Sequence, residues 1–121
     1  MDKLYKVGEY INKYNQILNI NLPCISIYAS KGLRKHIETR HNNCVDYIEK
    51  IPDIIKNPDF VGTNPKEPNS IELVKIYDNN IQIGIKLDRS KNYLYVATLF
   101  DIKEGKIKRR LNSGRLKPFW V

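Results

Sequence analysis

The sequence predicts an α+β fold, with N-terminal helices packed on a small antiparallel meander sheet of about four strands. Three observations predict it. Apolar residues recur at helical spacing before residue 57, they alternate or form short β-rich runs after residue 69, and the stretch between, NPDFVGTNPKEPN, holds three prolines and a glycine. Helices and strands segregated along the chain are the pattern of that class. The 121 residues amount to one domain. It divides into a helical half (1–56), a linker (57–69) and a β-meander half (70–121). A hydrophobic content of 41% supplies an ordinary core without a metal or disulfide staple.

The elements follow in order. Leu4 to Gln16 mixes apolar and polar residues and is ambiguous. Ile25 to Tyr28 alternates β-formers and predicts a short strand. Ser30 is suited to cap a helix N-terminus, and the segment KGLRKHIETRH behind it places Leu33 and Ile37 on one face. Cys44, Ile48, Ile51 and Ile55 recur at helical intervals and predict a second helix, which Pro52 kinks or restarts. Residues 57–69 are expected to lack regular structure. Ile71 to Tyr77 is the first meander strand, and Asp78-Asn79-Asn80 is turn chemistry. Ile81, Ile83, Ile85 and Leu87 alternate with Gln82, Gly84, Lys86 and Asp88, a half-buried strand. After a polar turn, Tyr93 to Ile102 is apolar on both faces and therefore central. Lys106 to Arg110 is expected as a short edge strand, Asn112-Ser113-Gly114 as a turn, and Phe119-Trp120-Val121 as an apolar end that packs down.

Charge is the strongest bulk signal. Lys and Arg number 21 against 13 Asp and Glu, a net charge of +8. Residues 1–40 carry +4, residues 41–80 carry −3 and residues 81–121 carry +7. Such a balance favours polyanionic partners, nucleic acid first. Two basic blocks dominate: Lys31, Arg34, Lys35 and Arg40, then Lys103, Lys106, Lys108, Arg109, Arg110, Arg115 and Lys117. A fold that joined them would make one cationic groove. Cys24 and Cys44 are not a CxxC pair and sit among apolar residues, so both are expected as small core residues in a reducing compartment. With two histidines besides, zinc ligands are scarce. No apolar stretch suits a secretory leader or a membrane span. The expected location is the cytoplasm of a producing or target cell, without a membrane partner.

Candidate chemistry lies in three places. On the helix 31–41, His36 and Arg40 are i, i+4 neighbours. Imidazole changes charge near neutral pH, as a general base on a ribose 2′-OH requires, and a guanidinium can hold a phosphate bidentately. His41 lies about 140° around the helix from His36, on the geometry of 100° per residue. The segment KIKRRLNSGRLK offers cations together with Ser113 and Gly114, a turn that can present donors to phosphate. Thr98 is a lone hydroxyl in the apolar strand YLYVATLF. Of the eight tyrosines, Tyr28, Tyr93 and Tyr95 stand out as candidates for stacking bases. Carboxylates do not cluster as a two-metal nuclease needs, and phosphate-loop and dinucleotide fingerprints are absent. A nuclease built from these residues works by acid–base chemistry, which restricts it to RNA and predicts a 2′,3′-cyclic phosphate product.

The ordered set GLRKHIETRH (32–41), VDYIEKIPDIIKNPDFVG (45–62), SIELVKIYD (70–78), IQIGIKLD (81–88), NYLYVATLF (92–100) and RRLNSGRLK (109–117) resembles a family of phage-borne nuclease domains grouped with barnase, EndoU, the colicin tRNases and RelE. The resemblance covers residues 30–118. It implies helices on a small antiparallel sheet with a cleft between them, and a toxin-type endoribonuclease that needs no metal or other cofactor. It implies a helix histidine, His36 or His41, as the catalytic group, completed by Thr98 and the basic turn of Arg110, Ser113 and Arg115. In the mechanism expected of these residues that histidine is the base, and Arg40, Arg110 and Arg115 stabilise the charged phosphorane. Thr98 or Ser113 would orient a phosphate oxygen, and Lys35, Lys86, Arg109 and Lys117 would hold the RNA backbone. The implied partners are transfer or messenger RNA and an acidic antitoxin or immunity protein. Two other classes fit the same basic character: a non-catalytic nucleic-acid-binding module and a basic protein-interaction domain.

Overall fold

The alternating residues 70–102 become the middle of a larger sheet. In a computed structural model, which describes residues 3–120, the elements run β1 (Leu4–Glu9), α1 (Asn12–Leu18), β2 (Ser26–Ser30), α2 (Lys31–Arg40), a 3₁₀ stretch (Asn42–Lys50), α3 (Ile51–Lys56), β3 (Phe60–Gly62), β4 (Ser70–Ile76), β5 (Asn80–Asp88), β6 (Tyr93–Asp101), α4 (Glu104–Ser113) and β7 (Leu116–Pro118). The strands form one seven-stranded sheet in the order β1-β2-β6-β5-β4-β3-β7. Every neighbouring pair is antiparallel except β2 and β6, which are parallel. Both halves of the chain therefore build the same sheet.

The expected sheet of about four antiparallel strands is corrected to seven strands, mixed. The additional strands are short and come from segments whose local signals are weak. β1 lies in the stretch whose pattern was ambiguous. β3 lies inside the proline-rich linker, where Pro58 and Pro65 flank Phe60–Gly62 without interrupting it. β7 ends on Pro118, tolerable because β7 is an edge strand.

The first core lies on the face covered by α1, α2, the 3₁₀ stretch and α3. There Leu33, Ile37, Cys44, Ile48, Ile51, Ile54 and Ile55 meet Ile71, Leu73, Ile81, Ile83, Ile85, Leu94, Val96 and Leu99. Ser30 caps α2 through its side-chain oxygen, which accepts the Leu33 N–H at 3.2 Å. Pro52 stands in the first turn of α3, so the apolar series 44–55 is a 3₁₀ stretch followed by a new helix. A buried Asn15 pins α1: it accepts the Tyr10 hydroxyl at 2.7 Å and donates to the Leu22 carbonyl at 2.9 Å.

A second, smaller cluster lies on the opposite face, where Ile107 and Leu111 of α4 pack with Phe60, Val74, Ile102 and Leu116. This corrects the edge strand expected at Lys106–Arg110. Ile107 and Leu111 are i, i+4 neighbours, and the apolar end of the sheet rewards that spacing with burial. Cys24 is also corrected: it is exposed in the loop before β2, while Cys44 is buried as expected. Phe119 packs down against Tyr14, with centroids 5.4 Å apart, but Trp120 is exposed and Val121 lies outside the described residues. No helix among the described residues is long and apolar enough to cross a membrane.

The antiparallel contact of β3 with β7 depends on Gly62. A Cβ there would lie 2.4 Å from the Arg115 carbonyl oxygen and 2.7 Å from Leu116 Cδ2. Backbone has to move to admit it. Gly62→Ala is expected to cost about 3 kcal/mol in urea denaturation, the upper range for overpacking a tight site. Unchanged stability would mean that β3 and β7 do not approach this closely.

Candidate active site

On the face opposite the main core, Ser70, Glu72 and Val74 of β4 stand beside Gln82, Gly84 and Lys86 of β5, and these beside Thr98 and Phe100 of β6. The alternation of β5 assigns its polar residues to this face. On β6 the alternation breaks. Gly84 pairs with Thr98 while Ile85 pairs with Val96, so Ala97 is an extra residue in a β-bulge. The bulge brings Tyr93 and Tyr95, which precede it, onto the same face as Thr98 and Phe100, which follow it.

Glu72 is the centre of this face. Its side chain is 7% exposed, and both carboxylate oxygens are engaged. Oε1 accepts from Arg115 Nη2 at 2.6 Å and Nε at 3.1 Å; Oε2 accepts from Gln82 Nε2 at 2.6 Å and Arg110 Nη1 at 3.1 Å. Arg110 Nη1 also donates to Gln82 Oε1 at 2.8 Å. A buried carboxylate needs such partners, because an unpaired one bears a heavy desolvation cost. Burial, opposed by the attraction of Glu72, holds the Arg110 guanidinium below the ordinary arginine value; a guanidinium nevertheless stays charged at neutral pH.

These residues line an open cleft of about 220 Å³, together with Asn64, Glu67, Ser70, Gly84, Lys86, Thr98 and Phe100. Gly84 is its floor: a Cβ there would come within 2.7 Å of Thr98 Oγ1. Lys86 stands at the rim, 3.4 Å from Glu67. Arg110 reaches the cleft from α4, and Arg115 reaches it from the turn behind. That turn needs Gly114, whose φ of +83° lies in the left-handed region that ends many helices.

The structure brings together only part of the expected set. Arg110, Arg115, Lys86 and Thr98 share the cleft. Ser113 does not line it. Its hydroxyl donates to the Arg110 carbonyl at 3.1 Å and accepts the Arg115 N–H at 3.4 Å, so it fixes the turn that aims Arg115. Arg109 is exposed on α4, and Lys117 on β7 reaches toward the Ile17 carbonyl at 3.5 Å. Lys35 and Arg40 are exposed on α2. The two basic helices are anchored on opposite faces, α2 by Leu33 and Ile37 and α4 by Ile107, so the two charge blocks do not merge into one groove.

The histidines come together at the cleft's edge. His41 follows α2 with φ −139° and ψ 53°, so the helix stops there and the ring turns back to 5.9 Å from the His36 ring. On its other side His41 lies 5.9 Å from the ring of Phe100, which lines the cleft. A gap in the sheet permits this. β2 pairs with β6 only at Leu94 and Tyr95, so the later half of β6 is open on the side where α2 ends.

Sequence reasoning missed Glu72, Gln82 and Phe100. A signal existed. Glu72 and Gln82 are polar residues on neighbouring strands of otherwise apolar character, and such residues need each other once the sheet is covered. Among the described residues no three of His, Cys, Asp and Glu stand close enough to hold a metal ion.

No curated protein and no solved structure matches the chain significantly. The sequence of residues 5–109 does match one family, and that span includes both histidines, Glu72, Lys86 and Thr98, while Arg110 and Arg115 lie just beyond it. With most of its length inside that match, the chain belongs to the phage-Barnase-EndoU-ColicinE5/D-RelE like nuclease3 family.

Proposed function

We propose that this nuclease is an endoribonuclease that needs no metal and cleaves by attack of the ribose 2′-OH on the adjacent phosphate, leaving a 2′,3′-cyclic phosphate and a free 5′-OH. The observation that carries this reading is Glu72 set between Arg110 and Arg115 in an open cleft. Such a reaction needs a base for the 2′-OH, cations for the phosphorane and an acid for the departing 5′-oxygen. DNA lacks the internal nucleophile.

Arg110 keeps its contacts with Glu72 and Gln82 and offers its remaining N–H donors to the scissile phosphate, while the more exposed Arg115 turns from Glu72 to meet it. Glu72, released on one side, takes the 2′-OH proton. Thr98 donates its hydroxyl to a phosphate oxygen, and Lys86 holds a neighbouring phosphate at the rim. His41, beside Phe100, protonates the leaving oxygen, with the His36 ring edge-on to it. The expected histidine base thus becomes the acid, because the carboxylate rather than the imidazole stands among the guanidiniums. Arg40, Lys35, Arg109 and Lys117 contribute charge to the approach of RNA, transfer or messenger RNA first. A toxin of this kind, active in a bacterial cytoplasm, requires an acidic inhibitor in its producer, and the exposed lysines of α4 are suited to meet one.

Incubation with total RNA in EDTA tests the reading. The wild type is expected to give discrete fragments ending in cyclic phosphate, and a His36→Ala, His41→Ala double variant to be slower by about 10²-fold. RNA bound at low salt but left uncut by the wild type would favour a binding module instead.

A further inference from the structure

The cleft is one end of a longer polar and aromatic track. Ser70, Lys86, Tyr95, Tyr28 and Lys6 are successive Cα partners across β4, β5, β6, β2 and β1, a straight row over the helix-free part of the sheet. Tyr93 lies one pleat further along β6, opposite Asp88. The three tyrosine rings touch in sequence: Tyr28 to Tyr93 at 6.3 Å, edge-on, and Tyr93 to Tyr95 at 5.7 Å, tilted by 42°.

These rings differ from the lone exposed Tyr5 of β1 and from the four tyrosines tied to the core. Tyr10 and Tyr14 belong to the core, and Tyr47 and Tyr77 pack against it. Tyr28, Tyr93 and Tyr95 are half-buried among one another, on the face opposite that core. Contiguous aromatic surface left in water is uncommon on a soluble domain without a ligand to cover it. Lysines bracket the row: Lys86 at the cleft and Lys6 at the far end.

We propose that Tyr28, Tyr93 and Tyr95 form a base-stacking subsite that holds unpaired nucleotides beside the scissile phosphate. A sheet face of this size takes about two or three bases in other single-strand readers. Lys86 and Lys6 take the phosphates on either side. Bases in a duplex are already stacked on their neighbours and have no face to offer, so the subsite selects single-stranded RNA. The proposal rests on the nuclease reading of the cleft for where the cut falls, but the stacking itself can be measured without cleavage.

The probe is a short, fluorescently labelled 2′-O-methyl RNA strand, which has no free 2′-OH to attack, compared with its duplex by fluorescence polarisation. The wild type is expected to prefer the single strand. Tyr93→Leu and Tyr95→Leu should each weaken single-strand binding by about tenfold, within the range for loss of one base–aromatic stack. Tyr93→Phe and Tyr95→Phe should bind as the wild type does, and duplex binding should not change. Titration of the wild type should also move tyrosine ring-proton resonances upfield, a readout independent of how the variants fold. Leucine variants that bind the single strand normally, or a wild type without single-strand preference or ring shifts, would overturn the subsite. Tyrosine-dependent binding without RNA cleavage would leave the subsite standing and sink the nuclease reading. Cleavage indifferent to both leucine variants would do the reverse.

Discussion

Glu72→Gln is expected to lower kcat on RNA by about 10³-fold while changing KM little, near the middle of the range for loss of a positioned general base. The substitution preserves shape but removes the proton acceptor. It also removes the charge that two guanidiniums face at 2.6 and 3.1 Å. Removing one partner of a buried pair leaves the others uncompensated, so folding stability should fall by about 3 kcal/mol, the low end for such a break because Arg115 is partly exposed. Assays are therefore to be run well below the variant's melting temperature. An activated substrate separates the two catalytic roles. A nucleoside 3′-(p-nitrophenyl phosphate) carries a leaving group that departs without protonation. Glu72→Gln should remain slow on it, whereas His41→Ala, slow on RNA, should cleave it at close to the wild-type rate. If His41→Ala is slow on both and Glu72→Gln is slow on RNA alone, the base and acid are assigned the wrong way round.

Arg110→Ala should cost about 10²- to 10³-fold in kcat, comparable to the loss of one preorganised donor to a developing oxyanion. Its side chain is 11% exposed, and its Nη1 serves both the Glu72 carboxylate and the Gln82 amide oxygen, so the guanidinium is held in one orientation before substrate arrives. Arg110→Lys should restore little. An ammonium is a point charge without the planar fork that engages several oxygens at once. Binding of the uncleavable strand should fall only modestly for Arg110→Ala, since one phosphate contact among several is lost. A loss confined to KM would make Arg110 an RNA-holding residue rather than one acting on the transition state.

Much of this protein was legible along the chain. The apolar spacing of Leu33 and Ile37 gave α2, and Ser30 marked its start. The strict alternation of Ile81, Ile83, Ile85 and Leu87 gave β5 and both of its faces. These patterns are local, and the burial of one face is enough to enforce them. Family membership was legible for the same reason, since order and spacing of segments survive without coordinates. Arg110, Arg115, Lys86 and Thr98 were recognisable as candidates from charge and from a hydroxyl out of place in an apolar strand.

The assembly of the site was not legible, because it depends on contacts between distant segments. A strand read by alternation puts Tyr95 and Thr98 on opposite faces, as they are three residues apart; the bulge at Ala97 puts them on one. Arg110 and Arg115 converge on Glu72 from 38 and 43 residues away, through a helix that read as a strand and a turn that needs Gly114. His41 reaches Phe100 only because β2 leaves the second half of β6 unpaired. By itself the sequence determined the local periodicities, the basic character and the family. Tertiary structure decided which charges are buried together, because a carboxylate deprived of water needs guanidiniums that only the folded chain can bring to it.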